Sequence, residues 1–293
     1  MALSAVLFSS MNFFARLASA GAPWPLVGAA RALTGALIAA LIATARGVSL
    51  RPRAPRRMWA RSALGTAAMV CTFYALSFRE LPLGDTTTLL NLTPVVLALL
   101  TPTFLGERTG ARVYVALAIS LSGVALVLRP AALFGAGVAT GPGALAAGAV
   151  ATLASVFGAF AMMALRKLGQ SEAPEPIALH FSLVAAATFS LLALPSLRVP
   201  ASKDVLYMFA AGVSAGLAQL AMTRAYALER AARVSAVSYL AVATSAAAGA
   251  LALHEWPAPL TLAGMGLVVA GGLVIALERA PAEPAPEPAP VSR

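Results

Sequence analysis

The stretch GDTTTLLNLTPVVLALLTPTFLGE, residues 84–107, decides how this chain is read. It is almost continuously apolar, yet it holds Asp85, Asn91, Pro94 and Pro102. Two prolines eight residues apart would damage a soluble core helix, since each deletes a backbone donor and crowds the preceding turn. Inside a bilayer, neighbouring helices can satisfy the freed carbonyls. The stretch is therefore expected to be a membrane span, bent rather than broken at Pro94, with Asn91 at the level of the bend.

Composition extends that reading to the whole chain. Of 293 residues, 60% are apolar and 11% charged, and the mean hydropathy is +0.84. Soluble domains carry roughly 45–50% apolar and about 25% charged residues, so the expected class is an all-α integral membrane protein. A membrane helix needs about 20 mostly apolar residues. Cutting at proline, glycine and charge clusters yields ten such segments, near 2–19, 25–45, 59–78, 84–105, 111–128, 143–165, 176–195, 204–227, 233–252 and 260–277. The tail APAEPAPEPAPVSR, 280–293, is rich in proline and alanine and is expected to be disordered.

The net charge of +10 follows topology rather than nucleic acid. Six arginines fall between residues 46 and 61, and no nucleic-acid motif accompanies them. With a cytoplasmic N-terminus, fourteen Lys and Arg residues lie on inner loops and the C-terminus, against five outside. That bias places both termini in the cytoplasm and the chain in the inner membrane. The first segment lacks a basic leader and is not read as a cleavable signal.

The same inventory excludes several chemistries. Cys71 lies alone in an apolar run, so neither a disulfide nor a metal site is expected, and no cofactor is implied. Two histidines, one cysteine and few intramembrane acids offer no HExxH or GxSxG arrangement, and no GxxxxGK[ST] loop is present. The chain is not expected to be an enzyme or to hydrolyse ATP. A channel would carry charge rings or a filter motif, which the sequence lacks. A channel or a lipid flippase stays as the alternative to a carrier of small molecules.

Five spans per half is an odd number, so a repeat of five must be inverted across the membrane. Residues 84–107 align without a gap on 232–255 at an offset of 148, matching at Leu92, Ala98, Leu105 and Glu107. The same offset places Gly123 on Gly271 and Asn91 on Tyr239. At an offset of 151, Pro23 and Pro25 fall on Pro174 and Pro176. Inverted halves are the usual construction of secondary transporters, with the site near the midplane.

These landmarks resemble the drug/metabolite transporter superfamily, specifically its EamA-type members. The likeness is carried by FSSMNFFARL (8–17), Arg31 within GAARAL, FYALSFRELPLGDTTTLLNLTPVVLALLTPTFLGER (73–108) and AISLSGVALVL (118–128). In the second half it is carried by RAYALERAARVSAVSYL (224–240), LALHE (251–255) and LAGMGLVVAGGLVIAL (262–277). The resemblance implies two five-helix repeats, 1–130 and 143–279, around a central cavity that opens alternately to each side. It implies a small organic solute as cargo, and a monomer is plausible. The second half departs from the first by placing Val242 and Ala250 opposite Pro94 and Pro102. The bend is therefore expected in the first half only.

Candidate site residues follow from position and chemistry. Ligand sites are mostly apolar and aromatic with a few placed hydrogen-bonding groups, which singles out Asn12, Tyr74, Asn91, Gln219 and Tyr239. Ionisable groups inside a span are costly and mark cavities or partners. Arg31 and Asp85 share a level near the outer face, so they are expected to form an outer gate, or to contact an anionic cargo group, or to stay solvated or snorkel at the interface. Arg16 is expected to snorkel. Glu107 and Glu255 end their spans and are expected to meet arginines or helix ends. His180 could couple proton movement but is expected to bond a neighbouring group.

Overall fold

The computed structural model describes residues 1–105, 111–128, 141–169, 171–228 and 237–277. Among them are eleven α-helices: α1 Ala2–Ala18, α2 Trp24–Ala45, α3 Pro55–Ser77, α4 Leu83–Leu90, α5 Thr93–Leu105, α6 Ala111–Leu128, α7 Pro142–Leu168, α8 Pro174–Ala193, α9 Ser202–Leu228, α10 Leu240–Ala252 and α11 Pro259–Leu277. Several open on proline, which is preset for a first helical turn where its missing donor would have been unused. Four stretches are long and apolar enough to cross a membrane by length and composition, namely Trp24–Ala45, Pro142–Leu168, Pro174–Ser196 and Ser202–Leu228.

Side-chain size is sorted in the direction a lipid solvent demands. On α2, Ala32, Ala36, Ala39 and Ala43 are buried, whereas Leu33, Leu37 and Leu41 point outward. Small residues inside let helix backbones approach closely, which is how helices associate where lipid removes the hydrophobic drive. At Gly35, three helices meet: a Cβ there would sit 3.2 Å from Ser182 Oγ of α8 and 4.0 Å from Gly216 of α9.

Packing joins α1 to α9, α2 to α8, α3 to α7 and α6 to α11. The last pair has a reciprocal contact. Gly123 of α6 lies against Gly264 and Val268 of α11, while Gly271 of α11 lies against Ala116 and Ser120 of α6. The offset of 148 exchanges the two sets: added to Gly123 it gives Gly271, and subtracted from Gly264 and Val268 it gives Ala116 and Ser120.

The opening stretch differs from its expected form. It is broken, not bent: α4 stops at Leu90, Asn91 and Leu92 form a turn, and α5 starts at Thr93. Pro94 cannot donate to Leu90, and the ladder restarts with Val95 and Val96 bonding back to the Leu92 carbonyl. The gap is seated by α7. Ser155 Oγ lies 2.6 Å from the Leu89 carbonyl and 3.0 Å from that of Leu90, and Thr93 Oγ1 donates to Leu90 at 3.2 Å. A kink limited to the first half is also overturned. Between helical residues 237–238 and α10, the ladder is interrupted at Tyr239, the position aligned with Asn91, with no proline present. There Val242 N–H reaches only three residues back, to the Tyr239 carbonyl.

Candidate functional site

A cavity of about 250 Å³ lies where α1, α2, α3, the α4–α5 break, α7, α8, α9 and the start of α10 converge. Four of the expected cavity residues, Asn12, Arg31, Asn91 and Gln219, line it together with Pro94. Asn12 presents a buried Oδ1 that no group satisfies among the described residues. Asn91 turns one amide hydrogen back to the Thr87 carbonyl at 2.9 Å, and Gln219 Nε2 reaches Thr223 Oγ1 at 3.3 Å. Asn91 is held at the wall because the helix breaks beneath it.

Two expected members lie elsewhere. Tyr74 is 37% exposed and packs edge-on against Trp24 and Phe78 on the bundle exterior, one residue away from the lining Phe73. The direction in which α3 faces, not its level, excludes Tyr74. Tyr239 is buried among α10 and α11 with its ring against Gly272, while its neighbours Ser238 and Ala241 reach the cavity.

The gate residues are also arranged differently. Arg31 makes no ion pair with Asp85 or any other acid among the described residues. Its Nη1 donates to Met69 Sδ at 3.1 Å and its guanidinium lies 5.5 Å from the centre of the Phe181 ring. Asp85 is buried in the first turn of α4. Arg16 does not snorkel: it is buried, donates to the carbonyls of Phe78 and Leu81 at 2.9 Å each, and pairs with Glu255 at 2.8 Å. Glu255 also accepts the Leu83 N–H at 2.7 Å, at the start of α4. This knot ties the far ends of α1 and α3 to α4 and the α10–α11 loop. Glu107 lies outside the described residues. His180 is bonded to Ser62 and stacked edge-on against Trp59, away from the cavity.

Arg61 is a cavity-lining residue that sequence reasoning missed. It is 1% exposed, lines the cavity, and holds its guanidinium 4.7 Å from the centre of the same Phe181 ring. Its Nε and Nη1 bond nothing among the described residues, nor does Arg31 Nε. Gly65, one turn on, permits the arrangement, since a Cβ there would overlap Arg61 Nη1 and crowd Phe181. The signal in the sequence was depth. Arg61 falls inside the third expected segment, but it reads as the last member of the 46–61 cluster.

On the opposite edge of the bundle two described acids have partners. Glu175 pairs with Arg46, and Glu172 accepts the backbone N–H groups of Arg53 and Ala54, so the α2–α3 and α7–α8 loops are joined. Glu172 and Glu175 are therefore committed to the arginine-rich loop of this face.

Comparison with known proteins places this geometry. The EamA-like transporter family matches residues 1–129 and 145–277. Two curated relatives, the pseudopaline exporters CntI of Pseudomonas aeruginosa strains UCBPP-PA14 and PAO1, are each 31% identical over 278 and 282 residues, covering 94% of this chain and 94% of the relative. A solved structure described as "Crystal structure of protein" superposes with a TM-score of 0.69 at 23% identity, covering 93% of this chain and 94% of its own.

Proposed function

The chain belongs to the EamA-like transporter family, and from that premise we propose how it works. It is a multi-pass membrane protein and a secondary transporter of small organic metabolites. The proposal is that ten spans form two inverted five-helix halves, 1–130 and 143–279, and that cargo sits between them, reached alternately from each side. The observation that carries it is the cavity itself, whose polar lining converges from both halves: Asn12, Arg31 and Asn91 from the first, Gln219 from the second. The reciprocal glycine contacts of α6 and α11 at the 148 offset support the inverted halves.

The contacts of Arg16 and Glu255 support reading that end as the closed one and the end of the arginine-rich loops as the entrance. With both termini cytoplasmic in the inner membrane, that makes the state inward-facing, with the knot at Arg16, Glu255 and the α4 terminus as the outer gate. The interrupted helices at Asn91 and Tyr239 are the hinges, since breaks in the helical ladder are where a span can flex without losing its packing. The relatives' description as exporters supports outward transport of a metabolite. The chain catalyses no reaction on its cargo.

Counterflow in proteoliposomes tests the reading: saturable exchange of a loaded metabolite is expected, whereas linear flux would identify a channel. Asn91→Leu is expected to depress transport several-fold while the folded protein is recovered at wild-type yield. Unchanged transport kinetics would remove Asn91 from the site.

A further inference from the structure

We infer that the cargo is an anion bearing carboxylates, gripped by Arg31 and Arg61 against the face of Phe181. This rests on the reading of the cavity as the transport site and specifies what the site recognises. Among the described residues the lining holds two arginines and no aspartate or glutamate. Both guanidinium groups lie over one ring, at 5.5 and 4.7 Å from its centre, so they can be separated by no more than the sum of those distances. Arginine–ring attraction offsets only part of the cost of burying a cation. Here two like charges are buried close together, and among the described residues their other contact is the weak acceptor of Met69.

Such an arrangement is costly in a ligand-free protein and becomes favourable when an anion enters. A guanidinium offers a planar fork of donors that matches a carboxylate. The unsatisfied Nε of Arg31 and Nε and Nη1 of Arg61 are the donors left for it.

The repeat gives an independent reason to assign the pair to cargo. At the offset of 151 that superposes Pro23 and Pro25 on Pro174 and Pro176, Arg31 stands opposite Ser182. Helix α8 packs in the same helix pair with a hydroxyl where α2 carries a cation, so the scaffold does not require the charge. Phe181, adjacent to that serine, supplies the ring instead. Asn12, with its free Oδ1, is placed to accept a hydrogen from an amine or hydroxyl on the same molecule, as expected for a substituted carboxylate rather than a simple inorganic anion.

The test is the melting temperature of the purified full-length protein, titrated with glutarate, glutamate and citrate, each against its neutral amide and against sodium chloride at equal ionic strength. At least one carboxylate is expected to raise the melting temperature saturably, with its amide and chloride giving no comparable shift. Arg31→Gln and Arg61→Gln are each expected to lose that shift, yet to melt no lower than wild type without ligand, because each removes an uncompensated buried charge. Arg79→Gln, on the exposed surface, is expected to keep it.

Absence of any carboxylate-specific shift, or an equal shift in the Arg61→Gln protein, overturns the assignment. If a variant cannot be purified, the wild-type contrast between acid and amide decides alone. Counterflow distinguishes the two levels of the argument. Saturable exchange of a neutral or cationic solute but of no carboxylate leaves the carrier standing and removes the anion site; carboxylate binding without any exchange does the reverse.

Discussion

Arg16 and Arg61 are buried almost equally, at 5% and 1% exposure, but their surroundings are opposite. Arg16 spends its donors on the backbone of the α3–α4 connection and on Glu255, and through Glu255 it reaches the first amide of the α4 ladder. Arg61 meets an aromatic face and space. The cost of burying a cation is the same in kind at both sites. At the first it is met by partners within the protein, which makes a structural joint. At the second it is left open, which is the mark of a site waiting for a charged molecule.

The largest effect that sharpens this contrast is expected at the joint. Arg16→Ala strands the Glu255 carboxylate and the carbonyls of Phe78 and Leu81, and breaking a buried pair from one side costs roughly 3–5 kcal/mol. The lower end is expected, because Glu255 keeps 22% exposure and water can reach it. Thermal unfolding in detergent should show a clearly lowered melting temperature. Arg16→Met with Glu255→Leu should recover part of the loss, since both charges are then gone. A singly substituted Arg16→Ala protein as stable as wild type would mean that the knot holds nothing together, and the contrast with Arg61 would collapse.

A smaller effect is expected where α7 seats the broken span. Ser155 Oγ lies within bonding distance of the Leu89 and Leu90 carbonyls, one of them freed by Pro94. Ser155→Ala leaves the Leu90 carbonyl to Thr93 Oγ1 and that of Leu89 to the Leu92 N–H, so it should cost about 1 kcal/mol, the scale of one lost hydrogen bond whose acceptor keeps another partner. Because the break carries Asn91 at the cavity wall, the same variant should alter the apparent KM in counterflow more than Ala→Ser changes on the lipid face. Unchanged stability and KM together would show that the break is fixed by Pro94 alone.

Much of this architecture is written locally. Proline, glycine and charge clusters mark where an apolar run must end, so α2 was expected at 25–45 and lies at Trp24–Ala45, and α8 was expected to start at 176 and starts at Pro174. Of the site, Asn12, Arg31, Asn91 and Gln219 could be found because a polar group in an apolar run has few other reasons to be there. The rest depended on contacts between distant segments. Arg16 near a helix end reads as a snorkelling residue until residues 78–81 fold over it. Arg61 reads as a loop arginine until Phe181, 120 positions away, is seen beneath it. The interruption at Tyr239 had no proline to announce it.

Tyr239 provides the smallest and most discriminating prediction. Its alignment with Asn91 suggests a shared role at the cavity, yet the structure separates the break from the side chain. The ladder is interrupted at both positions, but only Asn91 lines the cavity, while the Tyr239 ring is turned into the α10–α11 packing against Gly272. Its hydroxyl is buried with no partner among the described residues. Tyr239→Phe should therefore leave the KM for transport unchanged and hold or slightly raise stability, by at most about 1 kcal/mol, because an unpaired buried polar group is removed without loss of volume. The two outcomes separate backbone from side chain: a changed KM with intact folding would return the hydroxyl to the cavity and make the Asn91–Tyr239 equivalence one of contacts with cargo, whereas an unchanged KM confines it to the hinge.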